Sequence, residues 1–133
     1  MRYITHFVIL VVCSFGLGGC LTASNKQVRF TCDNSVVSND LEKQITAIAQ
    51  AHQFLPAPPE KVGLRFYSDM KSSPSLYAVV SSSRPLGFIL GVSVMRGPGT
   101  EDKLPPEVLD AFDAIVHEVN TQFAKSCALQ QTE

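Results

Sequence analysis

The sequence predicts an α+β fold in which two amphipathic helices cover one face of a four-stranded, mostly antiparallel sheet. Apolar residues recur at helical spacing in two segments and at alternate positions in several shorter ones. The connections between consecutive strand segments are too short for helical crossovers, which favours antiparallel pairing. The predicted element order is therefore β-α-β-β-β-α, arranged as a two-layer sandwich.

The first two predicted elements are a strand and a helix. The strand, Gln27 to Cys32, alternates apolar and polar residues. The helix is expected to begin at Asn39, because its side chain can cap the first turn while Glu42 reciprocates. A run rich in proline after Leu55 is expected to end it. The apolar stripe of this helix consists of Leu41, Ile45, Ile48, Ala49, His52 and Leu55.

Three further strands are predicted in the middle of the chain. They cover Val62–Tyr67, Leu76–Val80 and Phe88–Met95, which alternate or are rich in β-forming residues. Serine, glycine and proline between them supply the turns. Gly91 lies inside the third of these strands, and a glycine there indicates a bulge or a close packing contact.

The second helix follows the proline pair at Pro105 and Pro106, since proline suits the first helical turn. The tail from Ala128 is polar and is expected to fray. The core-facing stripe of the helix is predicted to end at Cys127 and consists of Val108, Phe112, Ile115, Val116, Val119, Phe123 and Cys127.

The beginning of the chain has the pattern of an export signal. Arg2 precedes a short apolar run, Phe7–Leu17, which is about half the length of a membrane-spanning helix of ~20 residues. The boundary Leu17-Gly18-Gly19-Cys20 resembles the lipobox of bacterial lipoproteins. This resemblance implies that Cys20 is lipidated and that the preceding peptide is removed. An uncleaved N-terminal anchor is the alternative, although it needs a longer apolar segment.

The resemblance sets the predicted domain organisation and location. Residues 1–19 are the signal peptide, residues 20–26 the lipidated cysteine and its tether, and residues 27–133 a single α+β domain. Acyl chains on Cys20 would hold the protein at a membrane. No Asp follows Cys20, which in the lipoprotein family implies the outer membrane, with the domain facing the periplasm.

Two cysteines remain after the signal peptide and the lipidation site are set aside. Cys32 and Cys127 lie near opposite ends of the domain sequence. In an oxidising envelope compartment such a pair most simply forms a disulfide. Two free buried thiols are the alternative that remains open.

Patterns that carry catalysis, metal ions or cofactors are missing from the sequence. His117 and Glu118 begin a zinc-protease pattern, but Thr121 stands where the second His is required. Asp113 and His117 are spaced as a surface helix pair. We find no nucleophile elbow and no glycine loop for phosphate. The net charge of −1 does not favour nucleic acid. The sequence therefore predicts no enzyme, no metal and no cofactor.

The expected function is that of a non-catalytic accessory or binding module of an envelope assembly or transport system, with an envelope protein as partner. In element order the chain is similar to small accessory lipoproteins of such machines, including the one that assists lipopolysaccharide transport. An inhibitor or immunity-type lipoprotein acting through the loop Gly97–Pro106 is one alternative, and a small ligand carrier or hydrolase is another. The loop Ser68–Ser75 is a further candidate for binding. The candidate partner-binding residues lie on the sheet face opposite the helices and are Arg65, Tyr67, Tyr77, Val79, Ile89, Ser93 and Met95.

Overall fold

A computed structural model describes residues 23–58, 63–81, 83–95 and 103–130. Two helices and six strands form an α+β fold around one antiparallel sheet. The elements in chain order are β1 (Ala23–Cys32), α1 (Ser38–Ala51), β2 (Leu55–Pro56), β3 (Leu64–Tyr67), β4 (Ser75–Val80), β5 (Gly87–Met95), α2 (Pro106–Gln122) and β6 (Cys127–Gln130).

The α+β class is confirmed, but the prediction of a four-stranded sheet is wrong. The sheet has six strands in the order β2-β3-β4-β5-β1-β6, and every neighbouring pair is antiparallel. The element order is accordingly β-α-β-β-β-β-α-β. The two strands that were not predicted, β2 and β6, are short and lie at the two edges of the sheet.

One face of the sheet and the two helices form a single hydrophobic core. Alternate residues of β5 that were predicted to share a face, from Phe88 to Val94, are all buried. The rings of Phe30 and Phe88 stack across the β1–β5 pair with their centroids 4.5 Å apart. Both predicted helix stripes supply buried residues to this core, including Leu41 and Phe112.

The boundaries of α1 differ from the prediction at both ends. Val37 is the N-cap and makes no side-chain capping hydrogen bond, so the predicted Asn39–Glu42 capping box does not form. The helix ends at Ala51, and Gln53 adopts a positive φ of 64°. This early reversal buries Phe54 completely and turns Leu55 out into β2 with 63% of its surface exposed. Leu55 is therefore not part of the helix stripe.

The end of α2 also differs from the prediction. The chain turns after Phe123, whose carbonyl accepts the N–H of Ser126 at 3.0 Å and that of Cys127 at 2.7 Å. Cys127 is consequently the first residue of β6 and does not extend the helix stripe. The segment from Ala128, expected to fray, pairs with β1. Polar sequence alone could not reveal this strand, because its partner lies far away in the chain.

The predicted disulfide between Cys32 and Cys127 is confirmed. The two residues face each other in the β1–β6 register, with their Cα atoms 3.9 Å apart. The bridge joins residues separated by 95 positions, near the two ends of the described chain. It fastens the last strand to the first strand.

The first strand is longer than predicted. It begins at Ala23, so residues 23–26 pair with β5 and are not a tether. The predicted signal peptide (residues 1–19), Cys20 and most of the loop Gly97–Pro106 lie outside the described residues. Within the described ranges, no helix is long and apolar enough to cross a membrane.

Candidate binding surface

The face of the sheet that points away from the helices carries the candidate partner-binding residues. In β3 and β4, the residues alternating with buried Phe66, Leu76 and Ala78 point to this face. We call it the open face. Its described members include Asn25, Gln27, Arg29, Thr31, Leu55, Arg65, Tyr67, Ser75, Tyr77, Val79, Gly87, Ile89, Gly91, Ser93, Ala128 and Gln130.

Six of the seven predicted binding residues can be located on the open face. Arg65, Tyr67 and Val79 are exposed, whereas Tyr77, Ile89 and Ser93 are half-buried. All six were predicted from the alternation of residues along the strands. The side chain of the seventh, Met95, lies outside the described residues. The structure therefore brings these residues to one surface, and their role in binding stays a prediction.

The open face carries most of the large hydrophobic side chains that are exposed in the described part of the chain. Among the described residues, four large hydrophobic side chains are exposed, and three of them lie on this face: Leu55 at 63%, Tyr67 at 49% and Val79 at 36%. Leu55 and Tyr67 are direct partners in the β2–β3 pair. Sequence reasoning missed Leu55 because it counted this residue in the helix.

A tyrosine lies across the centre of the open face. Gln27, Gly91 and Tyr77 occupy one row across β1, β5 and β4. A Cβ atom at Gly91 would collide with the Tyr77 ring, so the glycine leaves the space in which this ring lies. The Tyr77 hydroxyl then donates a hydrogen bond to Gln27 Oε1, two strands away, at 3.2 Å. The close contact predicted at Gly91 is thereby confirmed.

The covered position of Tyr77 affects its ionisation. Burial disfavours the charged phenolate and raises the pKa of the Tyr77 hydroxyl above its ordinary value of 10.0. The tyrosine is therefore neutral at physiological pH and remains a hydrogen-bond donor. It contributes an aromatic, polar centre to the surface.

A concave groove lies at one end of the open face. Its volume is about 340 Å³, and it is bordered by β1, β4, β5 and the loop between β4 and β5. Apolar and polar side chains share its walls, which include Arg29, Thr31, Val79, Ser81, Pro85 and Ile89. Sequence reasoning found Val79 and Ile89 but missed Arg29, because the pairing of β1 with β5 was not predicted.

Two side-chain contacts outside the open face connect α2 to its neighbours. His52 Nε2 lies 2.8 Å from Glu118 Oε2 and thereby joins α1 to α2. Asp113 accepts a hydrogen bond from Lys26 Nζ at 2.7 Å, so it pairs with β1 instead of with His117. His52, which the sequence placed on the apolar stripe of the first helix, is half-buried, with 27% of its side chain exposed.

The turn after β1 is held by its own side chains. Asp33 accepts hydrogen bonds from the Ser35 hydroxyl and from the Ser35 backbone N–H. Both bonds lower the pKa of the Asp33 carboxyl below its ordinary value of 3.8, and the bond from the Ser35 hydroxyl has the larger effect. They stabilise a tight turn. Within the part of the chain that the structure describes, no group of three or more His, Cys, Asp and Glu residues could hold a metal ion.

Comparison with known proteins adds no family to these observations. No protein-family model matches the chain, and no curated protein matches it at a significant level.

Proposed function

We propose that this protein is a lipid-anchored lipoprotein of the bacterial envelope that acts as a non-catalytic binding module of an envelope assembly or transport system. The observation that carries the proposal is the sequence Leu17-Gly18-Gly19-Cys20 at the end of a short apolar segment. Lipidation of Cys20 adds acyl chains, each methylene of which contributes about 0.8 kcal/mol on entering a bilayer. Two or more chains give stable attachment without a protein span.

The start of the sheet supports a position close to the membrane. Only Leu21 and Thr22 separate Cys20 from the beginning of β1 at Ala23. Three residue steps reach at most about 11 Å. A domain held this closely has partners at or in the same membrane. The absence of Asp after Cys20 supports the outer membrane, with the domain facing the periplasm.

The Cys32–Cys127 bridge supports the same compartment. Structural disulfides persist in oxidising compartments such as the periplasm and are rare in the cytosol. A signal peptide would export the protein to such a compartment, so the predicted export signal and the disulfide agree with each other. Neither of them depends on what the domain binds.

The open face supports the binding role. Exposed apolar side chains gathered on one face are typical of interaction surfaces. Here Leu55, Tyr67 and Val79 share such a face, and the groove lies beside Val79. We propose that an envelope protein binds there, and that catalysis, metal ions and cofactors have no part in the function.

Metabolic labelling tests the anchor. Cells producing the full chain are grown with radiolabelled palmitate, and the protein is followed through membrane fractionation. We expect label in the wild type and in Cys13→Ser, but no label and no processing in Cys20→Ser. Cys13→Ser is the matched control because it removes a cysteine of the apolar segment and spares the lipobox. Palmitate label in Cys20→Ser, or no palmitate label in the wild type, would contradict the proposal.

A further inference from the structure

The groove on the open face combines one cation with apolar walls. Arg29 stands at its β1 side, while Val79 of β4 and Ile89 of β5 form neighbouring cross-strand walls. The Thr31 hydroxyl adds a polar group next to Arg29 on the same face. A guanidinium beside an apolar groove is suited to a ligand that presents a carboxylate next to an apolar group.

The guanidinium of Arg29 is available for a partner. Among the described residues, Arg29 is exposed and makes no hydrogen bond or ion pair with another side chain. Lys26 of the same strand, by contrast, is paired with Asp113 on the helix side. Asp33, the acidic residue nearest to Arg29 along the chain, accepts its hydrogen bonds from Ser35.

In the part of the chain that the structure describes, charge is segregated between the helix layer and the open face of the sheet. The charged residues among the described members of the open face are Arg29 and Arg65, both cationic. The helices have the opposite character, with one lysine, Lys43, and the carboxylates of Asp40, Glu42, Glu107, Asp110, Asp113 and Glu118. An anionic partner is therefore attracted to the open face at Arg29, whose guanidinium has no side-chain partner among the described residues, and is repelled by the helix layer.

We propose that the groove docks a segment of an envelope protein in which an Asp or Glu lies next to an apolar residue. The carboxylate pairs with Arg29, and the apolar side chain fills the groove against Val79 and Ile89. This inference specifies the partner of the binding role proposed above, and it does not depend on lipidation. A protein segment suits the site better than a bilayer surface, because a side chain can enter a concave groove and a flat layer of headgroups cannot.

Photo-crosslinking of the full chain in cells tests the proposal. The photoreactive residue p-benzoylphenylalanine replaces Val79 in the groove or, as a matched control, exposed Thr121 on α2. We expect a protein adduct from position 79 that position 121 does not give. Mass spectrometry of that adduct is expected to identify a partner peptide with Asp or Glu within a few residues of the crosslink.

Substitution of Arg29 supplies the decisive readout. Arg29→Glu is expected to lower the adduct yield at least tenfold, whereas Arg29→Lys retains most of it because the positive charge remains. Changing the identified partner carboxylate to Lys is expected to restore the adduct in the Arg29→Glu protein. Arg29 is exposed, so folding should persist, and an intact Cys32–Cys127 disulfide in each variant checks this.

Several results would overturn the inference. They are an adduct with a phospholipid or a fatty acid, a partner peptide without a carboxylate, an adduct insensitive to Arg29→Glu, and no adduct from position 79. Palmitate labelling of the same cells separates the two proposals. An Arg29-dependent adduct on protein that carries no palmitate supports the groove proposal and contradicts the lipid anchor. Protein that carries palmitate but gives no such adduct supports the anchor and contradicts the groove proposal.

Discussion

At the residue scale, the row Gln27–Gly91–Tyr77 determines the shape of the open face. The glycine leaves room for the Tyr77 ring over β5, and the ring hydroxyl reaches a side chain on β1. Aromatic residues that cover a neighbouring strand glycine recover contact that the glycine itself lacks. One position without a side chain thus determines where the ring of Tyr77 lies on this surface.

A substitution at Gly91 tests this contact. Gly91→Ala places a methyl group against the Tyr77 ring, and we expect a loss of about 1–3 kcal/mol in the free energy of unfolding, as for other overpacked sites. In a Tyr77→Ala background the same change should cost less than about 1 kcal/mol, because the colliding ring is gone. Urea denaturation of the four proteins gives the coupling. An equal cost in both backgrounds would contradict the arrangement.

Burial of Tyr77 leads to a prediction about alkaline pH. Because the pKa of this hydroxyl is raised in the folded state, the unfolded chain loses the proton first. The contribution to stability is fully present below the ordinary value of 10.0 and falls as pH rises through the folded-state pKa. Phenolate absorbance, taken as the difference between wild type and Tyr77→Phe, should titrate above pH 10.0. Titration at or below the value of a free tyrosine amide would contradict the partial burial of this hydroxyl.

At the element scale, β6 shows how a distant partner changes the assignment of a segment. Cys127 continues the helical spacing of Phe123, so sequence reasoning placed it on α2. The backbone instead turns at Phe123, and the next residues pair with β1. Strand pairing with β1 and the disulfide to Cys32 determine the conformation of β6. The local sequence pattern carries no information about a partner that lies so far away in the chain.

Reduction of the disulfide tests the importance of that connection. A bridge across a loop of this length stabilises a domain by about 4–5 kcal/mol in the chain-entropy model. We expect the midpoint of urea unfolding to fall by a corresponding amount when reductant is added to the wild type. A protein with both Cys32→Ala and Cys127→Ala should not respond to reductant. The mass of the unreduced wild type should be lower by two hydrogens than that of the reduced protein; equal masses would contradict the bridge.

The end of α1 is a second segment whose residues the local sequence pattern assigned incorrectly. Helical spacing favoured Leu55 over Phe54 as the core residue. The positive φ at Gln53 ends the helix early, and the Phe54 N–H bonds back to the Ala49 carbonyl at 2.9 Å. Phe54 is then fully buried while Leu55 reaches the open face. A shift of this kind moves an apolar side chain from the core to a candidate binding surface.

At the scale of the whole molecule, the two layers differ in charge as well as in secondary structure. The described helices are mainly acidic on their solvent side, whereas the open face carries arginines, tyrosines and aliphatic residues. The side chains of Lys26 and His52 pair with acidic residues of α2 and thereby connect it to β1 and to the end of α1. Exposed pairs of this kind contribute at most about 1 kcal/mol, so burial of the core dominates stability.

The sequence by itself determined the α+β class, the two helices, the four longer strands and the residues that alternate onto the open face. It also indicated the Cys32–Cys127 pair, once the cysteines of the predicted signal peptide and lipidation site were set aside, but left two free thiols open as the alternative. These features follow from periodicity and composition, which are local properties. Tertiary structure alone decided the strand order, the two edge strands and the groove beside Arg29. Each of these depends on which distant segments lie side by side, and that choice is made by the packing of the whole core.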